Sequence, residues 1–138
     1  MRYLYLLLLL CLQASAQAMN PVSDTLRPQR VKNVEKLQFG VASYYHSKFE
    51  GRPTASGELY AEKELTAAHN GLPFNTWVRV THLKNKRSVV VRINDRLHYR
   101  NTRVIDLSRA AAEKLGLISK GLARVKVEVL GKEKPVED

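Results

Sequence analysis

Asp95, Glu58 and His69 are residues of the types that move protons, and each stands where the surrounding sequence restricts what it can do. Asp95 ends the run Ser88-Val89-Val90-Val91-Arg92-Ile93-Asn94-Asp95, which alternates as a strand does. Alternation puts Val89, Val91, Ile93 and Asp95 on one face, and Arg92, Asn94 and Arg96 on the other. A carboxyl that closes an apolar row, with the arginines turned away, is placed to keep a proton for general-acid work. Taken alone, an aspartate there reads more readily as a turn cap. Glu58 follows Ser56-Gly57 in a polar loop, where an isolated glutamate is usually just solvated. If it faced Asp95, like-charge coupling would raise the pKa of one of the two. His69 precedes the turn dipeptide Asn70-Gly71, and a lone histidine is more often a structural hydrogen-bonder than a catalyst. His46, His82 and His98 have no ligand-like spacing with it, so no metal and no other cofactor is expected.

The elements that must carry these residues are mostly strands. Alternation predicts strands at 39–45, 77–81, 88–93, 103–105 and 123–130, with Lys84-Asn85-Lys86-Arg87 as a hairpin-type turn. One helix is predicted at 109–115, capped by Ser108, with Asp106 at its positive end and Gly116 as its stop. Many short strands and one short helix make a small β-barrel.

With 138 residues there is room for one domain, and 44% apolar with 26% charged residues describes a globular chain. Met1-Arg2-Tyr3, the apolar run Leu4 to Leu12 and the small-x-small sites at Ala16 and Ala18 read as an export signal over 1–18. Residues 19–37 read as a flexible lead, 38–130 as the domain and 131–138 as a frayed tail. Cys11 lies inside the apolar run after Leu10, a poor lipid-anchor site. It is the single cysteine, so no disulfide framework is possible. The formal net charge of +10, one less without Arg2, calls for an anionic partner. An exported chain without a nucleic-acid motif is not expected to bind DNA or RNA.

Several blocks follow one another in a familiar order. They are Gly40-Val41-Ala42-Ser43-Tyr44-Tyr45, Gly51-Arg52-Pro53-Thr54-Ala55-Ser56-Gly57-Glu58, Leu65-Thr66-Ala67-Ala68-His69 with Leu72-Pro73-Phe74, Val89 to Arg96, and Val104-Ile105-Asp106-Leu107-Ser108. Through them the chain resembles the RlpA family (rare lipoprotein A) over about residues 38–130. The resemblance implies a mainly β fold, a six-stranded double-psi β-barrel with one short helix. It also implies an exported bacterial protein of the periplasm or cell envelope that acts on peptidoglycan glycan strands. The implied activity is that of an endolytic lytic transglycosylase preferring glycan stripped of stem peptides.

The family's catalytically important positions fall on Glu58, His69 and Asp95, with substrate contacts expected at Tyr44, Tyr45, Arg52, Thr54, Asn94 and Arg96. Such an enzyme cuts between N-acetylmuramic acid and N-acetylglucosamine without water. The muramic C6 hydroxyl attacks its own anomeric carbon, so one carboxyl can first give and then take the proton, where an inverting hydrolase needs two. On that reading Asp95 is the acid/base. The stretch 79–103 holds eight basic residues and one acid, Asp95, and is either a solvated face or a groove wall for lactyl carboxylates. Tyr44, Tyr45, Tyr60 and Trp77 offer faces for sugar rings, although Trp77 opens a strand and is expected in the core.

Departures from the family pattern sit at Tyr44, His46 and Leu97-His98, where Trp, Gly and Gly-Pro are frequent, and put substrate preference in question. No SPOR module is seen, so septal recruitment by that route is not expected; a monomer is. The competing reading is a non-catalytic, expansin-like barrel that only binds polysaccharide.

Overall fold

The computed structural model describes residues 36–136. The export-signal reading, all but the last two residues of the lead, and the final two residues of the tail lie outside them. Six strands form: β1 (Leu37–Tyr44), β2 (Thr66–Ala68), β3 (Trp77–His82), β4 (Ser88–Asp95), β5 (Ile105–Leu107) and β6 (Ala123–Gly131). They close in the order β1-β5-β2-β4-β3-β6, with β6 pairing back on β1. The β1–β5 and β2–β4 pairs are parallel and the rest antiparallel. Closure leaves no sheet edge open. The interior is the inward row from every strand, Val78, Val80, Val89, Val91, Ile93, Ile105, Leu107, Val125 and Val127 among them, with Leu115 and Leu117 from the helical segment.

The helix α1 (Arg109–Leu115) starts and stops as its sequence dictates. The Ser108 hydroxyl accepts from the Ala111 N–H, and Gly116 ends the helix at φ 74°. Asp106 does not serve the helix start; its carboxylate is taken by Arg103, as described below.

Four expectations shift. The strand predicted at 103–105 forms at 105–107. Thr66–Ala68 forms a strand that alternation could not show, because all three residues are buried. The alternation along β4 fails at its end. A register shift between Ala67 and Ala68 leaves Asn94 without a partner between Ile93 and Asp95, and the residue turns inward to 2% exposure. The chain beyond β6 is also held in part, since Lys132 Nζ donates to the Phe74 carbonyl at 2.7 Å.

Candidate active site

A groove of about 510 Å³ opens where the C-terminal ends of β1, β4 and β5 meet the 46–54 and 96–103 loops. Asp95 and Asp106 are the carboxylates that line it. Of the sequence candidates, Tyr44, Tyr45, Arg52, Thr54, Asp95 and Arg96 line it as well, whereas Glu58, His69 and Asn94 do not.

Asp95 is half-buried, and its surroundings are polar, not the apolar rim that strand alternation implied. Its Oδ2 accepts from Tyr45 Oη at 2.5 Å, and its Oδ1 accepts from the Ala55 and Arg96 backbone N–H groups at 2.8 Å each. The loop that carries Ala55 is tied to this strand end, since Ser56 N donates to the Asn94 carbonyl at 3.2 Å. Burial, then the bond to Asp95, pushes the Tyr45 hydroxyl far above its usual range, so it remains a donor. The Tyr45 ring is set by an edge contact with buried Tyr60 at 4.6 Å and a tilted contact with Phe49 at 5.9 Å.

Glu58 makes a two-pronged ion pair with Arg92, at 2.7 and 2.8 Å, and accepts from Asn94 Nδ2 at 3.2 Å. The Arg92 bonds, aided by Asn94, hold the Glu58 carboxyl below the usual carboxylate range, against a smaller opposing effect of burial. No hydrogen bond joins Glu58 to Asp95; Glu58 is held by Arg92 and Asn94, and Asp95 by Tyr45 and two backbone N–H groups. The ion pair ties the 54–58 loop to β4, and within that loop Thr54 N donates to the Glu58 carbonyl at 2.7 Å. The same loop presents the Ala55 N–H to Asp95.

His69 is 5% exposed. Its Nδ1 accepts from the Gly71 and Leu72 N–H groups, which places the proton on Nε2, and that nitrogen donates to Gln38 Oε1 at 2.8 Å. Burial, and then Arg96, lower its pKa, so the ring is neutral. With both nitrogens occupied it holds a turn. The carbonyl of that turn accepts from Arg96 Nη1 at 2.8 Å, while the Arg96 guanidinium lies 4.0 Å from the centre of the Phe74 ring. The Arg96 side chain is therefore anchored away from the Asp95 carboxylate, while its N–H reaches that carboxylate.

Sequence reasoning missed Arg103 and Asp106. Asp106 is 9% exposed and is clamped by Arg103 through bonds of 2.7 and 3.0 Å. Its position two residues before Ser108 suggested a helix-end charge instead. The aromatic assignments also change. Tyr60 is buried and its Oη accepts from the Arg109 N–H, so it backs the groove without presenting a face. Trp77 is half-buried outside the core, with Lys134 over its ring at 5.8 Å. The open walls include Phe49, flanked by Lys48 and Arg52, and His98, whose ring lies 4.4 Å from that of exposed Tyr99 outside the groove. Among the described residues no group of His, Cys, Asp and Glu is arranged to hold a metal.

Two parallel strand pairs locked into a closed six-stranded sheet, with one acid-bearing groove at the strand ends, define a double-psi β-barrel protein. Residues 38–127 match the family model for this barrel described as "Lytic transglycolase". Endolytic peptidoglycan transglycosylase RlpA of Haemophilus influenzae is 56% identical over 94 residues, 68% of this chain and 33% of that protein. The protein of the same name from Neisseria meningitidis serogroup A is 43% identical over 129 residues, 92% of this chain and 54% of that one. The chain thus belongs to the RlpA family, and spans about a third to a half of these relatives. Among solved structures, the Streptomyces papain inhibitor matches with TM-score 0.57 at 20% identity, over 70% of this chain and 96% of that one. The expansin of Clavibacter michiganensis matches at 0.55 and 21%, over 73% and 52%. At such identities the likeness is one of fold.

Proposed function

We propose that this chain is an exported endolytic lytic transglycosylase that cleaves the bond between N-acetylmuramic acid and N-acetylglucosamine and leaves 1,6-anhydromuramic ends. The observation that carries the proposal is Asp95 on the groove floor with Tyr45 Oη at 2.5 Å. Asp95 is the catalytic residue: it gives a proton to the leaving oxygen and takes one from the attacking C6 hydroxyl. A glycan lying in the groove would exclude water from the reacting bond. Tyr45 fixes the orientation of Oδ2.

Glu58 and His69 act through Asp95 as positioning residues. Glu58 holds the loop that supplies the Ala55 donor, and His69 holds the turn that anchors Arg96. Phe49 gives a sugar ring a flat face. Lys48 and Arg52 have no carboxylate partner among the described residues and suit the lactyl carboxylate that is bared when a stem peptide is removed. That supports a preference for peptide-free glycan, the RlpA-named relatives supplying the substrate class.

Digestion of purified sacculi, with and without prior amidase treatment, tests the proposal by mass spectrometry. Anhydro-ended fragments should appear, more from amidase-treated wall, and Asp95→Asn should lower their yield by at least about 100-fold. The amide can still accept from Ala55 and Arg96, so the fold should survive. Binding to sacculi without release of fragments would establish the expansin-like reading instead.

A further inference from the structure

The β3–β4 hairpin tip and the loop before β6 carry a surface that the groove does not use. Leu83, Lys84, Lys120, Leu122 and Arg124 line a shallow hollow of about 410 Å³. Leu122 is 53% exposed, although it is a large aliphatic side chain. Neither 82–94 nor 114–127 contains an aspartate or glutamate. Among the described residues none of Lys84, Lys86, Lys120 and Arg124 is paired with a carboxylate. The platform is fixed. Leu83 N donates to the Arg124 carbonyl at 3.0 Å, His82 N to the Arg87 carbonyl at 2.9 Å, and Asn85 Nδ2 to the Leu115 carbonyl at 2.9 Å.

We propose that this face docks on a bilayer rich in anionic phospholipid, with Leu83 and Leu122 at the acyl boundary and Lys84, Lys86, Lys120 and Arg124 among the phosphates. An exposed Leu122 beside half-buried Leu83, ringed by unpaired cations, is the arrangement an interfacial lipid contact requires. A glycan would instead need flat aromatic faces and acceptors for its hydroxyls, and this rim has no carboxylate to offer. Ser88 and Asp95 are the two ends of β4, about 23 Å apart at roughly 3.3 Å per residue. A bilayer at the hairpin tip therefore leaves the end of β4 that carries Asp95 facing away from the lipid.

The test is co-sedimentation of a chain starting at residue 19, which contains the whole barrel. The vesicles are phosphatidylethanolamine with phosphatidylglycerol, against phosphatidylethanolamine with phosphatidylcholine. Wild type should partition onto the anionic vesicles, and less so as salt rises. The pair Lys84→Glu and Lys120→Glu should cut that partition by at least about tenfold. Leu122→Ser should weaken the part of binding that persists in salt, and Asp95→Asn should bind as wild type. Thermal melts followed by circular dichroism check folding, and Lys84→Gln with Lys120→Gln substitutes if the reversals melt early. Equal binding to both vesicle types, no partition at all, or no response to the substitutions overturns the proposal. So does a loss seen only in binding to purified sacculi, which would make the surface a wall contact.

Discussion

Removing only the oxygen of Tyr45 would leave its ring against Tyr60 and Phe49 and strip Asp95 of one of its three donors. Tyr45→Phe should therefore lower the yield of anhydro ends about tenfold while costing only about 1 kcal/mol of stability. Glycan turnover and urea unfolding on the same preparation separate the two effects. His69 makes a different prediction. Its folded pKa lies below the ordinary imidazole value, so its stabilising effect is complete above that value and is lost as pH falls through the lowered one. Urea midpoints should fall on acidification from about pH 7 to 5, and His69→Gln should flatten that slope. Glu58 follows the carboxylate sign. Its contribution is present above the usual carboxylate range and fades as pH falls through its lower folded value. The pair is partly exposed, so Glu58→Gln should cost only about 1 kcal/mol or less at neutral pH. The larger effect should be on turnover, through the Ala55 loop.

At the scale of the element, close approach matters more than propensity. A Cβ at Gly40 would meet the Val104 Cβ at 2.8 Å, where β1 passes the start of β5. Gly40→Ala should force those strands apart and cost about 1–3 kcal/mol, read from denaturant midpoints. It should also lower activity, because Tyr44 ends that strand and Tyr45 comes directly after it. The β3, β4 and β6 strands, and α1 with both its caps, were legible because they are long enough to show a period or carry a cap. The three-residue β2 was not, since a fully buried stretch does not alternate. Asn94 was read as an outward residue because a bulge is a property of the pairing with Ala67 and Ala68, which lie more than twenty residues earlier. The chemistry was legible in residue types and illegible in contacts. Asp95, Glu58 and His69 were singled out, but the polar shell around Asp95 depends on backbone N–H groups that no side-chain pattern reveals. The Arg103–Asp106 clamp was hidden because each residue had a nearer explanation, a basic run for one and a helix end for the other.

For the molecule as a whole, the excess of positive charge should make wall binding salt-sensitive. Raising ionic strength from low to physiological should release a large share of protein bound to sacculi, measured by sedimentation. Loss should be steeper for wild type than for a Lys48→Gln, Arg52→Gln variant if those two residues meet wall carboxylates. Strand order has a separate consequence. Only β3 and β4 pair with a chain neighbour; β1 waits for β5 and β6, and β2 for β4 and β5. Such long-range closure is slow, in the millisecond-to-second range, and the hairpin is the natural starting point. The groove takes residues from β1, β4 and β5 together, so no partly assembled chain has one. A refolding time course should therefore show glycan cleavage returning in the same phase as the last tertiary signal. A molecule still short of its last ladder has no cleft in which to seat any ligand.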